Sequence, residues 1–172
     1  MGIEVILSSA EMRLGEIYGQ ARYDTNRKRG YSDQRVGNQD NAHTDILGMR
    51  GELGFCNLAN CYPDLTLGDE EYDQIDCTLA NGLTVDVKTA PRLTDNLLVR
   101  PCKASKKVPH LYALMLGEGP AFLLAGLYWS DELFRESNLR DMGHGPTYFI
   151  GKERLWLDHH FVPAIGRKNE SA

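Results

Sequence analysis

No stretch of about 18 consecutive apolar residues occurs in the chain, so a membrane-spanning helix is not expected. The opening residues, MGIEVILSSAEMR, are too short and too acidic for a secretory signal, and Ile6 stands where myristoylation needs Ser or Thr. None of the four cysteines (Cys56, Cys61, Cys77, Cys102) belongs to a Cys-x-x-Cys pair. Reduced, buried thiols in a cytoplasmic protein are therefore expected rather than a zinc site. Positive charge is not in surplus: the formal net charge is −5, which argues against coating nucleic acid non-specifically but leaves room for a locally basic groove. Internal repeats and low-complexity segments are also missing. What remains is 172 residues, 42% hydrophobic and 25% charged, a size and balance that suit one globular domain with a core.

Local signals suggest its layout. Ser8-Ser9-Ala10-Glu11 reads as a capping box opening a helix that runs to about Arg29. Residues 30–43 are polar and read as a loop holding Tyr31, Arg35 and His43. A second helix, capped by Thr44 or Asp45, ends before Pro63. Apolar strand candidates follow at Asn96–Pro101, His110–Leu116 and Ala121–Tyr128, with a Gly-Pro turn between the last two. Ser130 caps a helix over SDELFRESNLRD, and Thr147–Ile150 forms a short strand. The expectation is an α/β chain of α+β type with a mixed, mostly antiparallel sheet. Residues 1–43 form an N-terminal helix and loop, 44–128 the core, 129–165 a C-terminal helix and strand, and 166–172 a frayed tail.

The stretch IDCTLANGLTVDVKT holds the most chemistry. Apolar residues alternate on both sides of Asn81-Gly82, a hairpin signal. A three-residue loop, Ala80-Asn81-Gly82, pairs Leu79 with Leu83, Cys77 with Val85 and Ile75 with Val87. The opposite face then pairs Thr78 with Thr84, Asp76 with Asp86, and Gln74 with Lys88. Burial of one face selects this register over a two-residue loop, which would mix apolar and polar on both faces. Two carboxylates opposed at about 5 Å repel by roughly 3 kcal/mol at an effective dielectric near 20. A divalent cation between them would reverse that sign, and Mg²⁺ takes such hard oxygen ligands. A solvated polar face is the plainer alternative for the same residues.

A third carboxylate comes from GMRGELGF in the second helix. At ~100° per residue, Ile46, Met49, Leu53 and Cys56 share one stripe, and Glu52 lies at its edge. Glycines at 48, 51 and 54 each cost about 1 kcal/mol in a helix interior. Close approach of helix to sheet would account for them and would carry Glu52 towards the hairpin.

Gly51-Glu52 on a helix, Ile75-Asp76, a short hairpin and Asp86-Val87-Lys88 together resemble the PD-(D/E)XK nuclease superfamily. The compact hairpin is most similar to small Holliday-junction-resolvase-like members. The GxRGE helix, Leu97–Pro101 and Phe122–Gly126 look like uncharacterised phage-borne proteins of this type. The likeness covers about residues 44–128, and Ile75 replaces the usual proline. It implies a restriction-endonuclease-like core and a Mg²⁺- or Mn²⁺-dependent deoxyribonuclease, of phage or mobile-element origin, acting in recombination or repair in the host cytoplasm. Asp76, Asp86 and the Val87 carbonyl would ligate the metal, Glu52 directly or through water, and Lys88 would orient the attacking water and help deprotonate it. A neighbouring cation would ease loss of the Lys88 proton. Asp73 is a rival first acid, disfavoured by the register. Arg22, Arg27, Lys28 and Arg29, together with Arg100, Lys103, Lys106 and Lys107, are the candidate DNA contacts. Asp158-His159-His160 reads as structural or surface. By analogy a homodimer would cut both strands. The alternatives are a catalytically silent DNA- or protein-binding module, or a phage protein engaging a host factor through residues 30–43.

Overall fold

The computed structural model describes residues 2–28, 41–67, 75–101, 107–143 and 145–157. The chain opens with strand β1 (Ile3–Ile6), which sequence reading passed over although its side chains alternate between half-buried and exposed. Helix α1 (Ser9–Lys28) follows. It starts on the expected capping box: the Ser8 N–H and Oγ both donate to Glu11 Oε2 at 2.6 Å, and the Glu11 N–H returns to Ser8 Oγ at 3.3 Å. The Ser8 hydroxyl bond is the main cause holding the Glu11 carboxyl below its usual range. Helix α2 (Asn41–Ala59) begins earlier than its expected Thr44 or Asp45 cap and takes in His43.

Glycine sets how closely these helices pack. A Cβ on Gly19 would collide with the Ile46 backbone, and one on Gly15 with the Arg50 side chain. Gly19→Ala therefore gains about 1 kcal/mol of helix propensity but forces two backbones apart. We expect a net loss of about 1–3 kcal/mol, as for overpacked cores, measured by urea denaturation. An unchanged midpoint would mean that α1 and α2 are not packed this closely.

The strands are β2 (Cys77–Thr78), β3 (Thr84–Ala90), β4 (Leu97–Val99), β5 (Leu111–Leu116), β6 (Ala121–Trp129), β7 (Leu139–Asp141) and β8 (Pro146–Ile150). Five form one mixed sheet in the order β1-β6-β5-β3-β2. All its pairs are antiparallel except β3–β5, which is parallel. The sheet is mixed and mostly antiparallel, as expected, and its one parallel pair comes from a crossover: the chain leaves β3, passes through β4 in a second sheet (β4-β8-β7) and returns alongside β3. The segment from Ser130 also departs from its single expected helix. It makes one turn (α3, Ser130–Leu133) and a 3₁₀ turn (Glu136–Asn138), and then enters β7.

Both faces of the large sheet are covered. On one, Val85 and Val87 of β3 and Leu111, Ala113 and Met115 of β5 pack with Met49, Leu53 and Cys56 of α2. On the other, Tyr112, Leu114 and Leu116 meet Leu97, Val99 and Ile150 of the small sheet. Burial on both sides explains why β5 is apolar throughout. This is an α+β fold of helix pair, mixed sheet and small sheet. Among the described residues, no helix is long and apolar enough to cross a membrane.

Candidate active site

The hairpin adopts the three-residue register. Cys77 pairs with Val85 and Thr78 with Thr84, the Leu79 N–H donates to Leu83 O at 2.8 Å, and Gly82 takes the left-handed conformation at φ 85°. The ladder then stops. Asp76 lies beyond β2, its N–H reaching Val85 O at 2.9 Å, so Ile75 and Val87 do not form the expected strand pair. The Asp76 carboxylate turns back instead: Oδ2 accepts the Val87 N–H at 2.6 Å. A side chain thus takes the place of a neighbouring strand, and among the described residues no strand pairs with that edge of β3, an open edge in this sense. The Val87 carbonyl points to the same edge as its N–H, as in any strand residue.

Four of the residues singled out from sequence converge at this edge. In the parallel register Asp86 lies beside Tyr112 and Lys88 beside Leu114, which puts both on the small-sheet face. Lys88 Nζ is 2.6 Å from Asp86 Oδ1 and 5.9 Å from the Tyr112 ring centre. Glu52 arrives from the opposite face, on α2. That helix approaches β3 closely because residue 51 is glycine; a Cβ there would run into the Thr89 side chain. Asp76 stands between the two groups and is electrostatically coupled to Glu52, Asp86 and Lys88. Glu52 and Asp86 are only 4% and 3% exposed.

A fifth residue completes the cluster. Arg22 of α1 donates from Nη1 to Glu52 Oε1 at 2.6 Å and from Nη2 to Glu52 Oε2 at 3.1 Å, a two-point clamp. Sequence reading placed Arg22 in a basic, DNA-facing stretch. The signal that would have found it is the spacing Gly15, Gly19, Arg22, one helix face whose two glycines bring α1 against α2.

Three carboxylates thus face two cations in a largely dry setting. Burial, then repulsion from Glu52 and Asp86, pushes the Asp76 carboxyl well above its usual range, with Lys88 and the Val87 N–H opposing. Burial raises Asp86 too, against the pull of Lys88 and Arg22. Lys88 is raised: burial would lower it, but Asp86 and Asp76 outweigh that. The carboxylates facing it favour the ammonium, and a cation that eased its deprotonation would have to act against them. The Lys88 side chain is 40% exposed, unlike that of Asp86.

These shifts have a stability consequence. A carboxyl whose folded pKa lies above its unfolded one costs nothing below the unfolded value, near pH 4. Stability is then lost as pH rises from that value towards the folded pKa, above which the penalty is complete. Asp76→Asn should therefore raise the melting temperature in chelator-treated buffer at pH 7–8, with the gap to wild type closing as pH falls towards about 4. A variant that melts lower at neutral pH would show that Asp76 is not repelled there.

The candidate DNA contacts are scattered. Arg27 lies 5.2 Å over the Tyr23 ring, and Lys28 is exposed at the end of α1. Arg100 is half-buried after β4, and Lys107 is exposed before β5. Arg29, Lys103 and Lys106 lie outside the described residues, as do Tyr31, Arg35, the rival Asp73, Gln74 and the Asp158-His159-His160 run. A separate cleft of about 710 Å³, lined by Pro109, His110, Trp129 and Phe134 among others, includes none of the clustered charges.

Comparison with protein-family models, curated proteins and solved structures finds no match for this chain.

Proposed function

We propose that the chain is a metal-dependent nuclease of PD-(D/E)XK type, hydrolysing phosphodiester bonds of DNA with Mg²⁺ or Mn²⁺. The observation that supports this reading best is the meeting of Asp76, Asp86 and Lys88 at the open edge of β3, within electrostatic reach of a helix-borne Glu52. These residues stand in the order and on the elements that the superfamily resemblance implies.

The donor set fits a hard cation in part. Asp86 Oδ1 is buried and has an ammonium nearby but no well-aligned hydrogen bond among the described residues. Among the described residues Asp76 has a hydrogen bond on Oδ2, and the Val87 carbonyl points to the same edge of β3. Two carboxylates with a carbonyl and water match the ligands Mg²⁺ commonly takes from protein. Glu52 fits less directly, since both its oxygens are held by Arg22; a place in the metal shell would require that guanidinium to give way. Among the described residues, the ligand oxygens of the three acids do not all come within 4.8 Å of one another.

When bound, the ion would activate water and neutralise charge on the scissile phosphate. The chain's own contribution is positional. Asp76 is fixed by the Val87 N–H, and Asp86 is held in a dry wall beside Lys88. The Lys88 ammonium, kept charged by its acidic neighbours, is set to hold a water or a phosphate oxygen at the mouth of the site. Arg27, Lys28, Arg100 and Lys107 would neutralise flanking phosphates, with strongly salt-dependent affinity.

The test is cleavage of circular, linear, single-stranded and branched DNA with Mg²⁺ or Mn²⁺. Metal-dependent products from wild type and none from Asp86→Asn support the reading; equal activity in the variant overturns it. A second reading rests on Arg22, whose guanidinium already balances Glu52 as a cation would: a silent binding module on a nuclease scaffold. That module would show no Mn²⁺ binding dependent on both Asp76 and Asp86.

A further inference from the structure

Three of the four cysteines meet on the α2 side of the large sheet. The sulfurs of Cys56, Cys61 and Cys77 all lie within 4.8 Å of one another, although the residues come from three places: the last turns of α2, the turn after it, and β2. Sequence spacing gave no hint of this, because the grouping is made by backbone geometry. Helix α2 ends in a Schellman motif. Asn60 adopts φ 49°, the Cys61 N–H donates to Cys56 O at 3.0 Å, and the Asn60 N–H donates to Asn57 O at 3.4 Å. This motif habitually brings the side chains at its two ends together, here Cys56 and Cys61. Cys77 is brought to the same place by its pairing with Val85 and its bridge to Pro63.

We propose that Cys56, Cys61 and Cys77 form a thiolate site for a single Zn²⁺ ion, with water in the fourth position. Tetrahedral zinc holds sulfurs at about 2.3 Å, and hence about 3.8 Å apart, so side-chain adjustment alone closes the triangle. Cys56 and Cys77 are each 2% exposed, whereas Cys61 is half-buried and supplies both an entry route and room for the water ligand. The C-terminal end of α2 carries partial negative charge, which favours a bound cation. Each ligating thiol releases its proton to solvent, so loading frees up to three protons per ion. The ion would fasten the end of α2 to the start of β2, one residue from Asp76. Its binding would be independent of any nuclease activity.

The full-length protein should be purified without chelator and its zinc counted, and Co²⁺ should then be titrated into the metal-free form. About one zinc per chain is expected, with thiolate-to-cobalt charge-transfer bands and the intense visible absorption of a tetrahedral site. Cys61→Ser, at the half-exposed position, should weaken binding by more than the roughly 10–100-fold typical of an outer-shell change, while Cys102→Ser and Asp86→Asn leave it intact. Zinc should also protect Cys61, the half-buried thiol, from alkylation relative to the metal-free protein, read by mass spectrometry, which does not rely on a variant folding. Substoichiometric zinc with no thiolate–cobalt bands overturns the proposal, as does zinc retained in Cys61→Ser but lost in Cys102→Ser. Because Asp86→Asn separates the two sites, absence of zinc leaves the nuclease reading standing, and the reverse.

Discussion

Lys88→Ala should lower the rate of Mg²⁺-dependent DNA hydrolysis by roughly 10²–10⁴-fold, the range for losing a group that positions or moves a proton in the transition state. The comparison with Lys88→Arg is more informative. Asp86 and Asp76 keep the Lys88 ammonium charged, and its side chain is partly exposed where those of Glu52 and Asp86 are buried. If its contribution is positive charge at the phosphate or the attacking water, arginine keeps part of the rate, although its planar fork does not reproduce a compact ammonium. If Lys88 must instead give up its proton, arginine is as inactive as alanine. The charge role is expected: Lys88→Arg should fall between wild type and Lys88→Ala in single-turnover cleavage at saturating DNA. Stability of each variant should be followed in parallel, since removing the ammonium leaves three carboxylates facing Arg22 alone. Wild-type rates in Lys88→Ala protein would remove this residue from the chemistry.

How much of this was legible in the sequence depends on the range of the interaction. The hairpin register followed from alternation and one Asn-Gly step, because a strand that buries one face admits one pairing. The α1 capping box was likewise readable from four adjacent residues. What failed was longer in range or weaker in signal. The crossover that sets β3 parallel to β5 runs through β4, and although a strand was legible there, nothing local to it says which sheet it joins. The helix expected after Ser130 breaks after one turn, because Leu133 and Asn138 are buried against different partners: Leu133 in the small-sheet core, and Asn138 hydrogen-bonded to the Glu132 and Leu133 carbonyls. Asp76 and Asp86 were rightly placed near each other, but as residues at the end of a ladder rather than a cross-strand pair. Cys61 could not have been joined to Cys56 and Cys77 without the left-handed turn at Asn60.

Arg22 is the residue whose removal should cost the most stability. Glu52 is 4% exposed, and both its oxygens are bound by the guanidinium, so Arg22→Ala would leave a buried carboxylate without its counterion. Breaking such a pair from one side costs about 3–5 kcal/mol, mostly the penalty of the stranded charge. Removing both charges is a different change. Arg22→Met with Glu52→Gln takes away the repulsion on Asp76 along with the clamp, and should recover most of the loss. The double-mutant cycle in urea therefore should show strong coupling. Metal adds a second axis. Glu52 freed from Arg22 is available as a hard oxygen ligand beside Asp76, so Mg²⁺ or Mn²⁺ should stabilise Arg22→Ala more than wild type, by the linkage between binding and folding. Equal metal stabilisation in the two proteins would mean that Glu52 stays outside the ion's reach even when released. A loss under about 1 kcal/mol for Arg22→Ala would mean that the pair behaves as a solvated surface contact, and that α1 contributes packing but no charge to the site.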